Sequence, residues 1–166
     1  FRRFVRILMR RFYVTNGLEN LPTDGVYEQF GRELSIDWTC RMGDDRCLSY
    51  AYSKLNSEIP KPLEVTLLCN GFKGLGRQTE FVAWYRKFQS ASDQADRLRY
   101  LDGLTCSSDL KTITDLLETT LGAGSESFYR SHERSRIYNN LVARSSVGLE
   151  ALTSFILKFY DDIVYV

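Results

Sequence analysis

A chain of 166 residues with 43% hydrophobic and 26% charged content has material for one globular domain with a real core and too little for two large ones. Its net charge of +1 hides an uneven spread: residues 1–13 hold five arginines and no acid, leaving the remainder at −4, which argues against a surface built for nucleic acid. No apolar run is long enough for a membrane-spanning helix, and three prolines without a Ser/Gly/Pro tract give no sign of a disordered linker.

Phe1 to Tyr13 reads as an amphipathic helix. Phe1, Phe4, Val5, Leu8 and Phe12 fall at helical spacing, with Arg2, Arg3, Arg6 and Arg10 mostly on the other face. A packed helix with a solvated basic face is preferred to a membrane-surface or calmodulin-target helix. Asn16-Gly17 ends it, Leu21-Pro22-Thr23-Asp24-Gly25 is a turn, and Val26 to Thr39 resumes the pattern through Phe30, Leu34 and Trp38. Between Cys40 and Cys47, Gly43 suits a left-handed turn just past a helix end, and an Asp suits the cap of the next helix. The two cysteines then stand where a disulfide would pin both ends.

A short helix covers Cys47 to Leu55, and Ile59-Pro60-Lys61-Pro62 breaks it. Pro62 suits the first position of the next helix, which carries Leu63, Val65, Leu67, Leu68 and Cys69. Asn70-Gly71-Phe72-Lys73-Gly74-Leu75-Gly76 is glycine-rich but lacks both phosphate-loop patterns, so it reads as a helix-to-helix loop. Helices follow at Thr79–Ser90 with Phe81, Val82, Trp84, Tyr85 and Phe88, at Gln94–Leu104 behind Ser92-Asp93, and at Leu110–Leu121 behind Ser107-Ser108-Asp109. Beyond Gly122-Ala123-Gly124-Ser125, Phe128–Ala143 and Gly148–Tyr160 give two more, and only Asp162 to Val166 has a β-branched flavour. About eight to ten helices joined by short loops make either a globular bundle or an irregular, HEAT-like solenoid of helix pairs.

Chemistry is sparse. His132-Glu133 is followed by Ser135 and Arg136 and there is no second histidine, so no HExxH zinc helix exists. The cysteines lack the close CxxC pairs of a zinc site, and no GxSxG nucleophile is present. Asp44-Asp45 and Asp161-Asp162 read as cap or surface charges. For the four cysteines, Cys40, Cys47, Cys69 and Cys106, two disulfides are preferred to free buried thiols, which implies an oxidising compartment. No signal peptide opens the chain and Phe1 begins within a helical pattern, so the reading is a fragment of a larger secreted-type protein.

Taken together, the strings resemble the C-terminal helical domain of M1-family zinc aminopeptidases, the aminopeptidase N type and its endoplasmic-reticulum relatives. The likeness rests on Phe1-Arg2-Arg3-Phe4-Val5, the C-x6-C element Cys40 to Cys47, and Val65-Thr66-Leu67-Leu68-Cys69-Asn70. It continues through Trp84-Tyr85-Arg86-Lys87-Phe88, Asp96-Arg97-Leu98-Arg99-Tyr100-Leu101 and Leu104-Thr105-Cys106. Tyr129-Arg130-Ser131-His132-Glu133 is similar to the family's R-x-Q-D element, and Arg144-Ser145-Ser146-Val147-Gly148 to its R-N-x-x-G turn. His132, Glu133 and Ser145 depart from the family's Gln, Asp and Asn, and Thr153 and Phe159 stand where it often has Trp, a mix similar to insect gut aminopeptidases.

The resemblance implies an all-α, irregular HEAT/armadillo-like superhelix of antiparallel helix pairs, forming one domain over 1–166 of a larger enzyme. It implies Cys40–Cys47 and Cys69–Cys106 disulfides. Zinc and the catalytic motifs would lie in a separate domain of the same chain. This domain would cap the active-site chamber and touch the distal part of peptide substrates, with Arg130 the chosen contact because a guanidinium holds a carboxylate or carbonyl. An ion pair of Arg130 with Glu133 or a neighbouring helix is the competing role. Location at the cell surface, with a lipid anchor beyond the C-terminus, or in the secretory lumen, and a surface for a second copy or a bacterial toxin, are family-level expectations. The alternative is a stand-alone extracellular helical-repeat module that binds a protein or peptide.

Overall fold

The computed structural model describes residues 1–19, 21–74, 77–121 and 128–164. Among the described residues there is no strand, and the chain divides into two compact units, Phe1–Gly71 and Phe72–Val166. The first holds α1 (Arg2–Asn16), α2 (Val26–Arg41), α3 (Asp45–Lys54), a 3-10 turn (Lys61–Leu63) and α4 (Glu64–Gly71). The second holds α5 (Gln78–Ser90), α6 (Gln94–Leu104), α7 (Leu110–Glu118), α8 (Ser131–Arg144), α9 (Ser146–Lys158) and α10 (Tyr160–Val164). Consecutive helices pack as pairs, α1 on α2 and α3 on α4 in the first unit, α5 on α6 and α8 on α9 in the second.

Short polar residues start the helices where the sequence places them. Asp44 accepts from the backbone N–H groups of Arg46 and Cys47, Asp93 from Asp96, Asp109 from Thr112, and Ser145 from Gly148. Each satisfies an orphan donor and contributes about 1 kcal/mol. Proline sits in the first turn of the 3-10 segment, as Pro62 predicts.

The turn between α2 and α3 is closed three ways. Gly43 takes φ +77°, its N–H donates to the Cys40 carbonyl at 2.9 Å, and the Asp44 N–H reaches back to the Thr39 carbonyl at 3.2 Å. This is the paired hydrogen-bond pattern of a Schellman ending. The Cys40–Cys47 disulfide then ties the last turn of α2 to the first turn of α3 with Cα atoms 5.1 Å apart. Cys69 and Cys106 are disulfide-bonded as well, and no cysteine is free.

In the first unit, Ile36, Cys47, Ala51, Leu55, Leu67 and Leu68 are buried in the core. A Cβ on Gly71 would come within 2.8 Å of Leu55 Cδ2, so the α3–α4 approach requires glycine there. The inner faces of α1 and α2 differ from the periodicity reading. Val5 is buried, with Met9 and Tyr13 half-buried, whereas Phe1, Phe4, Leu8 and Phe12 are exposed. On α2, Phe30 and Leu34 are exposed, and the buried residues are Arg32, Ser35, Ile36, Thr39 and Cys40. Arg32 lies inside because Asp24 of the preceding turn meets it at 2.8 Å. That guanidinium, together with the Leu21 N–H, holds the Asp24 carboxyl below its usual range.

In the second unit, Phe81, Trp84 and Phe88 of α5, Leu101 and Leu104 of α6, and Ile113, Leu116 and Leu117 of α7 fill the interior with Ile137, Leu141 and Phe155. Val82 and Leu110 are exposed, at the edges of their helices' apolar stripes. Phe88 is the aromatic centre, stacked on Tyr129 and edge-on to Phe128, both at 5.5 Å. The β-branched tail is helical through Val164. Gly122–Ser125, and Leu75 and Gly76 of the glycine-rich loop, lie outside the described residues.

Replacing Cys40 and Cys47 together by alanine should lower unfolding free energy by roughly 2–3 kcal/mol, the loop-closure term for so short a loop. Gly43→Ala should cost about 1 kcal/mol because alanine disfavours positive φ. Denaturant titration measures both, and an unchanged midpoint for Gly43→Ala would contradict the left-handed turn.

Candidate functional site

Polar chemistry in the second unit concentrates where α6 meets α8. Arg136, Asn140 and Arg144 recur at four-residue intervals on α8, which places them along one face. They converge on Asp102 of α6. Arg136 grips the carboxylate with two bonds of 2.6 Å, Asn140 donates to it at 2.8 Å, and Arg144 donates to the Asp102 carbonyl at 2.7 Å. The fork geometry makes this a specific clamp and raises the Arg136 guanidinium further above its already high range.

One turn nearer the start of each helix lies a second pair. Arg97 binds Glu133 with bonds of 2.7 and 3.0 Å, and Glu133 is wholly buried. The guanidinium also donates to the Phe88 carbonyl at 3.2 Å and lies 4.4 Å from the Phe88 ring centre and 4.9 Å from that of Phe128. Glu133 is the third residue of α8, and its carboxylate accepts the Arg130 backbone N–H at 3.1 Å, the helix-start half of a capping box. Burial alone would raise the Glu133 carboxyl, but Arg97, the Arg130 N–H and Gln94 together hold it below the usual glutamate value.

Arg130 stands exposed at the N-cap of α8. Its guanidinium hydrogen-bonds Gln94 Oε1, while Gln94 Nε2 shares a bond of 2.9 Å with His132. The expected ion pair with Glu133 is made by Arg97, and Arg130 meets that carboxylate only through its backbone. Most of its five donors therefore face outward.

An apolar groove of about 590 Å³ runs between α5 and α7, walled by Phe81, Val82, Tyr85 and Leu116 with Arg86 and Asp115 at its edges. Tyr85 shares a hydroxyl–hydroxyl bond of 2.8 Å with Tyr129, which shares another of 2.9 Å with Thr119. Burial pushes the Tyr129 phenol far up, so it keeps its proton and its two hydroxyl bonds tie Tyr85 of the groove wall to Thr119. Tyr129 is the residue before Arg130, which joins the groove wall to the start of α8.

These groups bind and brace. Glu133 and Asp102 are each held by an arginine, and no group of three His, Cys, Asp or Glu side chains among the described residues could hold a metal. The sequence reading passed over Asp102, Arg97, Arg136 and Asn140. The four-residue spacing of Arg136, Asn140 and Arg144 was the available signal. One departure from the resembled family, Ser145 for Asn, keeps the same chemistry. Ser145 caps α9 as an Asn would, and Gly148 remains because a Cβ there would come 2.7 Å from the Leu141 carbonyl.

Glu133→Gln should cost roughly 3–5 kcal/mol, because it leaves the buried Arg97 charge without its partner. The Glu133 pKa is depressed in the folded chain, so its contribution is present above the ordinary value of 4.5 and lost as pH falls through the lower folded value. The gap in stability between wild type and Glu133→Gln should therefore be flat from neutral pH to about 5 and shrink below that. Denaturant titration at several pH values checks it, and a gap that grows on acidification would contradict the assignment.

The chain matches no curated relative. It does match the ERAP1-like C-terminal domain over residues 1–166, with an all-helical fold to suit. The chain belongs to the ERAP1-like C-terminal domain family.

Proposed function

We propose that this chain is the non-catalytic C-terminal domain of an M1-family zinc aminopeptidase, one that removes N-terminal residues from peptides. The family match across residues 1–166 carries this reading, and it favours one domain over 1–166 in which the helix pairs stack as a HEAT-like superhelix. Zinc and peptide hydrolysis belong to a catalytic domain of the same protein, so no catalytic step is assigned to these residues. The disulfides suit the cell surface or the secretory lumen. A second copy of the protein or a bacterial toxin would be a further partner of the exposed surface.

The domain's task is to cap the active-site chamber and hold the distal part of a peptide. Two features support this. The α5–α7 groove is apolar, of the size that takes side chains, and its wall is held rigid by the Tyr85–Tyr129–Thr119 hydroxyls. Arg130 is exposed with donors to spare and is anchored at its backbone by Glu133. Its guanidinium is suited to a peptide carboxylate or carbonyl. The same groove would serve a stand-alone extracellular binding module, which would bind peptides without trimming them.

In the full-length protein, Arg130→Ala should raise KM for peptides of about ten residues several-fold and leave hydrolysis of a single aminoacyl chromogenic amide unchanged. Equal loss on both substrates would remove Arg130 from distal contact. Binding of peptides without any trimming would favour the module.

A further inference from the structure

The first unit contains a cleft of about 440 Å³ that the reading above does not use. Arg3, Arg6 and Arg10 line one side, at spacings of three and four residues that put them on one face of α1. Arg46, in the first turn of α3, lines the other. None of these four guanidinium groups has an ion pair among the described residues. The one acid in the lining is Asp44, whose carboxylate accepts the N–H groups of Arg46 and Cys47, both at 3.2 Å.

Thr39 supplies the second, independent observation. It lines the same cleft, is 2% exposed, and its hydroxyl has no hydrogen-bond partner among the described residues. A buried hydroxyl without a partner is costly, and such groups in native proteins call for an explanation. Tyr13 also lines the cleft, and burial followed by the nearby Asp44 charge raises its phenol, so it keeps its O–H as a donor at neutral pH. The cleft thus presents cations and hydroxyl donors with almost no acceptor left to meet them.

We propose that this cleft binds a small multivalent oxyanion of the phosphate or sulfate class, with the arginines on its oxygens and the Thr39 and Tyr13 hydroxyls donating to it. Charge assistance from several forked guanidinium groups favours a group with three or more oxygens over a lone carboxylate, which has two. The site is separate from the α5–α7 groove, and its occupancy does not depend on aminopeptidase activity.

The test is calorimetric titration of the full-length protein, disulfides intact, at low ionic strength. Inorganic pyrophosphate and a sulfated disaccharide are the two probes. At least one should bind saturably, and whichever binds tighter identifies a phosphate or a sulfate source. Arg6→Ala with Arg10→Ala should weaken binding about tenfold or more. Thr39→Val, which replaces the hydroxyl with a methyl at the same size, should weaken it by about threefold without lowering the anion-free melting temperature. Arg2→Ala with Arg11→Ala, which removes two exposed arginines outside the cleft, should stay within about twofold. Absence of saturation with both probes would overturn the proposal. So would equal weakening by the Arg2 and Arg11 pair, which would mean diffuse attraction to a basic helix.

Discussion

A carboxylate with no solvent exposure cannot be left alone, and Glu133 organises the second unit through that requirement. It sits where the positive end of α8 and the Arg130 N–H favour an anion, and it draws Arg97 of α6 inward to meet it. Arg97 in turn needs partners for its remaining donors and flat faces, which the Phe88 carbonyl and the Phe88 and Phe128 rings supply. One buried charge thereby sets the register of α6 against α8 and the position of the aromatic cluster. Asp102 repeats the device farther along the same helices. Arg130 has a fixed backbone and an exposed side chain that bonds Gln94, because the ion pair beside it is complete without it.

The first unit solves a different problem. Its α2–α3 turn is short, so a glycine in the left-handed region, an aspartate cap and a disulfide all act within eight residues. Fixing that turn also fixes Thr39, Asp44 and Arg46 opposite the arginine face of α1. The basic face of α1 is solvated, as its sequence predicts, with Arg2, Arg3, Arg10 and Arg11 exposed, and part of it lines the cleft beside the buried Thr39 hydroxyl.

Legibility in the sequence followed the range of the interaction. Gln94–Leu104 begins and ends where Asp93 and the apolar spacing place it, and Gly43 and Asp44 act as local chemistry requires. Arg2–Asn16 was legible as a helix but its inner face only at Val5, because apolar residues occur on more than one side and periodicity cannot choose between them. The structure chose Val5, Met9 and Tyr13. For α2 the buried Arg32 was hidden for a related reason: its burial depends on Asp24, eight residues earlier in a turn. The Asp102 and Glu133 clamps join residues more than thirty positions apart, and only the spacing on α8 hinted at them. Arg130, singled out in the sequence for a substrate contact, is exposed at the start of α8, and the Glu133 carboxylate that competes for it is taken by Arg97.

The central claim, that these helices serve an aminopeptidase, is tested most directly by incubating the full-length protein with a peptide of free N-terminus and following the products by mass. The account predicts stepwise loss of single N-terminal residues, abolished by a chelator and restored by zinc. A protein that folds with its disulfides formed and leaves the peptide intact would contradict it.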